Sequence, residues 1–149
     1  MMAWVKTDQA ITTRQQIIGG MTSSGSATAF GEFGISLIND SISFEIPAQQ
    51  NSISATTSPL TFPIGTWFHI AVTYDGDALS FYYNGNLVAT DSILTTFGPY
   101  FQNQQIGNNQ RIFGGIQIED QFLGYIDELY LENRVSTPSE IATYYTSTM

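Results

Sequence analysis

WFHIAVTYDGDALSFYYNGNLVAT, residues 67–90, is the stretch whose reading decides the fold. From Trp67 to Tyr74 the residues alternate, and Phe68, Ile70, Val72 and Tyr74 form one apolar file with the period of a β-strand. Asp75-Gly76 turns the chain, Leu79, Phe81 and Tyr83 form a second file, and Asn84-Gly85 turns it again. Asn-Gly between alternating runs is the strongest short hairpin signal, because both residues tolerate the positive φ that a type I′ turn requires. The stretch predicts a three-stranded antiparallel meander.

The rest of the composition agrees with a β-protein. The chain has 149 residues, 42% of them hydrophobic, which is enough for one domain with a real core. Only 11% are charged, against roughly 25% in an average domain. Ser, Thr, Asn and Gln take their place, as suits the solvent faces of strands. The net charge is −9 and the only Lys and Arg are Lys6, Arg14, Arg111 and Arg134. That balance excludes nucleic acid and anionic membrane surfaces, which require clustered cations. With no cysteine there is neither a disulfide framework nor a thiolate metal site. Every apolar run is too short for a membrane-spanning helix, and the opening MMAWVKTD has no signal-peptide h-region.

Outward from the meander, strands are expected at Ala3–Thr7, Gln16–Met21, Phe33–Ile38 and Ser41–Ile46, the last two joined by the hairpin signal Asn39-Asp40. Asn39-Asp40-Ser41 also matches a glycosylation sequon, but a tight turn accounts for the Asn. Thr22–Ala29 reads as a loop and Asn51–Thr57 as an edge strand. Gln105–Gly107 reads as a short strand, followed by a longer loop or hairpin from Asn108 to Gln121. In FLGYIDELYLE, residues 122–132, Phe122, Gly124 and Ile126 share a face, yet the apolar residues resume at Leu129 and Leu131. A phase slip at Asp127-Glu128 is what a β-bulge produces. Thr137-Pro138-Ser139-Glu140 then supplies an N-cap, a proline at N1 and a glutamate at N3 for a two-turn helix carrying Ile141, Tyr144 and Tyr145.

Four landmarks stand in order: Ala3–Lys6, Trp67–Gly76, Phe81–Gly85, and Gly124–Glu128 followed by Asn133-Arg134 and Ser139–Ile141. Together they resemble the laminin-G-like domains of the concanavalin A-like lectin/glucanase superfamily, over nearly the whole chain. The resemblance implies an all-β fold, a two-sheet antiparallel β-sandwich of jelly-roll type with about six or seven strands per sheet and one short C-terminal helix. It implies a single domain over residues 1–149 that lacks one strand the family usually has before Ala3. An open sheet edge of that kind would favour a homo-oligomer.

Chemistry is thinly spread. His69 is the only histidine and shares a strand face with Trp67, Ala71 and Thr73; no nucleophile and acid are placed around it, so it reads as structural. Catalytic relatives carry acids in the order Glu-x-Asp-x-x-Glu on one strand. Here Tyr125 and Tyr130 occupy the outer positions around Asp127, so the hydrolase pattern is absent and the chain is read as no enzyme. The resemblance makes Asp127 the candidate calcium ligand, with a backbone hydrogen bond at the bulge as the alternative. A sugar needs an aromatic platform beside amides or charges. Residues 97–105, with Tyr100 and Phe101, and residues 108–113, with Asn108 and Arg111, have that composition.

The resulting expectation is a non-catalytic binding module for an extracellular glycan or glycoprotein, secreted, viral or on a cell surface. An atypical glycoside hydrolase of the same fold and a structural assembly domain are the alternatives. The function rests on family analogy alone.

Overall fold

The computed structural model describes residues 1–20, 33–46, 53–92, 104–108, 110–113 and 116–148. Within them the chain is all-β apart from one helix, and it divides into two compact units. The first comprises residues 1–10, 61–95 and 124–149; the second comprises residues 11–60 and 96–123. Each is organised around one antiparallel five-stranded sheet, and the fold class is the expected β-sandwich.

In the first unit the meander is β6 (Trp67–Tyr74), β7 (Ala78–Tyr83) and β8 (Asn86–Ser92). With β1 (Met2–Thr7) and β12 (Gly124–Tyr130) it makes a sheet in the order β12-β1-β6-β7-β8. Both turns of the meander are held locally. Asp75 Oδ1 accepts from the backbone N–H groups of Asp77 (2.9 Å) and Ala78 (2.8 Å), and these bonds hold its carboxyl below the usual range. Asn84 (φ 47°) and Gly85 (φ 76°) form the primed turn, and a Cβ on Gly85 would stand 3.1 Å from the Tyr145 ring. Val5, Phe68, Ile70, Leu79 and Phe81 lie on one face and are fully buried, with Phe62 stacked on Phe68 at 4.9 Å.

Strand β12 carries the expected bulge. Met2 pairs with Tyr130 but Trp4 pairs with Asp127, so two steps along β1 match three along β12. Glu128, at φ 49°, absorbs the extra residue. The phase slip does not carry both leucines inward: Leu129 is half-buried and Leu131 is exposed, because the ladder ends at Tyr130. At the other end of β12 a Cβ on Gly124 would lie 2.0 Å from the Lys6 carbonyl oxygen, so only glycine lets β12 approach β1 there.

The helix α1 (Pro138–Ser147) is longer than expected, ten residues, and has the predicted capping box. Glu140 N donates to Thr137 Oγ1 at 3.2 Å and Thr137 N donates to Glu140 Oε2 at 2.7 Å. Arg134 bridges Glu132 (2.8 Å) and Glu140 (2.9 Å), holding the approach to the helix.

The second unit is ordered β5-β4-β3-β2-β9, from β2 (Gln15–Gly20), β3 (Gly34–Ile38), β4 (Ser41–Ile46), β5 (Ile53–Thr56) and β9 (Gln104–Ile106). Strand β5 is an edge, as its Ser- and Thr-rich sequence predicts. Asn39 and Asp40 both take positive φ in the hairpin between β3 and β4. Residues 108–121 form the hairpin alternative, β10 (Gln110–Phe113) paired with β11 (Ile116–Glu119). Among the described residues each main sheet has five strands rather than six or seven. Strand β1 has a partner on both sides, so Ala3–Lys6 is interior to its sheet.

Candidate functional site

Strand register sets out the second face of the first unit's sheet in three cross-strand rows. Met2 lies opposite Ala71 and Tyr130, Trp4 opposite His69 and Asp127, and Lys6 opposite Trp67 and Tyr125. Tyr82 extends the first row through its pairing with Ala71.

Helix α1 covers the first two rows. Ile141 is fully buried among Met2, Ala71 and Tyr82, with Tyr144 packed against the group. Tyr145 stacks on Trp4 at 5.4 Å, and Trp4 Nε1 donates to Thr148 Oγ1 at 2.7 Å. Tyr144 stacks on Tyr130 and donates to the Glu128 carbonyl at 2.9 Å, which ties the helix to the bulge. His69 sits in the middle, ringed by Trp4 (5.6 Å), Tyr144 (5.7 Å) and Tyr145 (6.0 Å). It is completely buried, neither ring nitrogen has a hydrogen-bond partner, and burial pushes its pKa down to about 4. A neutral imidazole packed on aromatics is structural, as its sequence context predicts.

The third row is left uncovered. Trp67 is 39% exposed and Tyr125 55%, large fractions for aromatic rings in a folded chain. Their centroids are 6.4 Å apart and the rings are tilted by 59°. The Lys6 ammonium caps the pair, 4.2 Å from the Tyr125 centroid and 5.3 Å from that of Trp67. Arg14 pairs with Glu45, and Arg134 with Glu132 and Glu140. Lys6 is thus the cation without a carboxylate partner among the described Lys and Arg side chains. Rings and cation together make an aromatic pair with a donor over it. Sequence reading placed Trp67 and Tyr125 in strands but missed that they meet. The available signal was the parity of Lys6, Trp67 and Tyr125 once β1 is set between β6 and β12.

The residues singled out from sequence fall elsewhere. Tyr100 and Phe101 lie outside the described residues. Asn108 is half-buried after β9, and its Oδ1 is buried without a hydrogen-bond partner, as are both amide atoms of Gln104. Arg111 lies in β10 opposite Ile118. These belong to the second unit and Asp127 to the first. Asp127 is exposed and its Oδ1 accepts from Glu128 N at 2.8 Å, the backbone bond expected at a bulge. No group of three or more His, Asp or Glu side chains converges among the described residues.

A profile described as the concanavalin A-like lectin/glucanases superfamily matches residues 1–142. The chain belongs to that superfamily. Among curated proteins it is similar to pappalysin-1 of Mus musculus, 32% identical over 81 residues, a match covering 53% of this chain and 5% of pappalysin-1. Among solved structures it is similar to the CBM40 of Ruminococcus gnavus IT-sialidase bound to alpha2,3 sialyllactose. That likeness has a TM-score of 0.72 at 15% identity, covering 97% of this chain and 80% of that one. It is also similar to domain 4 of AbnA, a GH43 extracellular arabinanase from Geobacillus stearothermophilus, in complex with arabinotriose. Here the TM-score is 0.67 at 21% identity, covering 95% of this chain and 63% of that one. At such identities these two likenesses establish the fold.

Proposed function

We propose that this superfamily member is a non-catalytic glycan-binding module that works outside the cell and holds a sugar on the Trp67–Tyr125 platform. The supporting observation is the pair of exposed rings on the sheet, in a row of that face that α1 does not cover. Sugar rings present apolar C–H faces that pack on aromatic surfaces, and their hydroxyls take directed hydrogen bonds at the platform edge. The solved relatives in complex with sialyllactose and arabinotriose are compatible with this use of the fold.

The segment with Tyr100, Phe101, Asn108 and Arg111 is a second proposed contact surface. Calcium is retained only as a proposal at Asp127, whose Oδ1 accepts from Glu128 N. Melting the chain in calcium and in EDTA tests it, and equal midpoints remove it.

The glycan reading is tested on an array followed by calorimetry. The expected result is millimolar to micromolar binding of at least one glycan, weakened about tenfold or more in Trp67→Ala with the far-ultraviolet circular dichroism unchanged. Asn108→Ala and Arg111→Ala report on the second surface in the same titration. If no glycan binds and light scattering finds a discrete oligomer, the assembly reading replaces this one; release of reducing sugar would restore the hydrolase.

A further inference from the structure

We infer that the Lys6–Trp67–Tyr125 row selects sugars that carry a single carboxylate, with Lys6 as the residue that reads the charge. This rests on the glycan-binding reading above and concerns the same platform. Three observations carry it.

Lys6 lies between two neighbours, Trp67 on β6 and Tyr125 on β12, and its ammonium stands over both rings. Ring faces stabilise a cation without donating or accepting a proton. They leave its N–H groups to a charge-assisted hydrogen bond with an incoming carboxylate.

The second observation is the rest of the chain's charge. With 13 acids against four Lys and Arg, most cations of the described residues are neutralised by carboxylates. Lys6 is not. The overall charge of −9 would oppose an anionic ligand at long range. Beyond a Debye length of about 8 Å at physiological salt that repulsion is screened, and the adjacent ammonium governs.

The third sets an upper limit on ligand charge. Asp127 is exposed on β12, opposite Trp4 in the neighbouring row of the same face. One cation beside one anion accommodates one carboxylate and disfavours a polysulfated chain, which requires several clustered cations. The fitting ligand therefore has a hydrocarbon face for the indole and one carboxylate beside it. Sialic acids and uronic acids both have this chemistry.

The experiment titrates the whole chain with 3′-sialyllactose, its methyl ester, lactose, galacturonate and methyl-esterified galacturonate, by calorimetry or by shifts of the indole N–H resonances. The expected result is that one of the two acidic sugars binds at least about tenfold more tightly than its uncharged counterpart, lactose or the ester for sialyllactose and the methyl ester for galacturonate. Which of the two binds identifies the source of the carboxylate. Lys6→Gln should abolish the preference while melting as the parent does, and Lys6→Arg should keep it. Equal affinity for acid and ester overturns this inference and leaves the glycan reading standing, as does binding only of neutral glycans. A preference that survives Lys6→Gln overturns the assignment to Lys6. Absence of binding to every glycan overturns both.

Discussion

The covered and uncovered rows of one sheet face are built from the same strands and similar residues, yet they do different work. Trp4 and His69, one row along from Lys6 and Trp67, are buried by α1 and spend their rings on packing and on a bond to Thr148. Trp67 and Tyr125 have no helix over them, and the polar group beside them is a charged ammonium instead of a neutral imidazole. An aromatic residue on a strand face is therefore neither core nor platform in itself. The cover decides, and here the cover is a three-turn helix whose docking stops one row short.

The strongest challenge to this contrast is to loosen the cover. Ile141→Ala keeps a good helix former and removes a fully buried side chain, so it should cost about 3 kcal/mol in chemical denaturation. A loss below about 1 kcal/mol would mean that α1 is not docked as described. Acid probes the same contact through His69. Its unfolded pKa is near 6.5 and its folded pKa about 4, so the unfolded chain takes up the proton first. The stability gained from burying the neutral ring is complete well above pH 6.5 and falls as pH drops toward 4, by about 3 kcal/mol. His69→Phe should flatten that portion of the pH–stability profile; an unchanged slope would place the titration elsewhere. Tyr125→Ala sharpens the other side. Removing a half-exposed cross-strand ring should cost no more than about 1 kcal/mol, yet it should weaken glycan binding as Trp67→Ala does. A large stability loss with intact binding would make the row a structural ladder.

Much of the fold is legible in local chemistry. Alternation located β6 and β7, Asn39-Asp40 and Asn84-Gly85 fixed two hairpins through their positive φ, and Thr137-Pro138-Ser139-Glu140 started the helix at its observed first residue. The bulge at Glu128 was visible as a slip of parity, because a strand's side chains have a strict period of two. Leu131 follows the slipped parity yet is exposed, because parity indicates the face and burial requires a neighbour on that face.

The candidate site was less legible. Its three residues are far apart in the chain, Lys6, Trp67 and Tyr125, and come together only through the order β12-β1-β6. The sequence by itself determined the strands, turns, cap and bulge, since each is a bargain between a residue and its immediate backbone. Tertiary structure alone decided that β1 lies between two distant strands and that α1 covers two rows and leaves the third. Those are outcomes of long-range pairing and packing, where the contacts of one residue are set by others more than a hundred positions away.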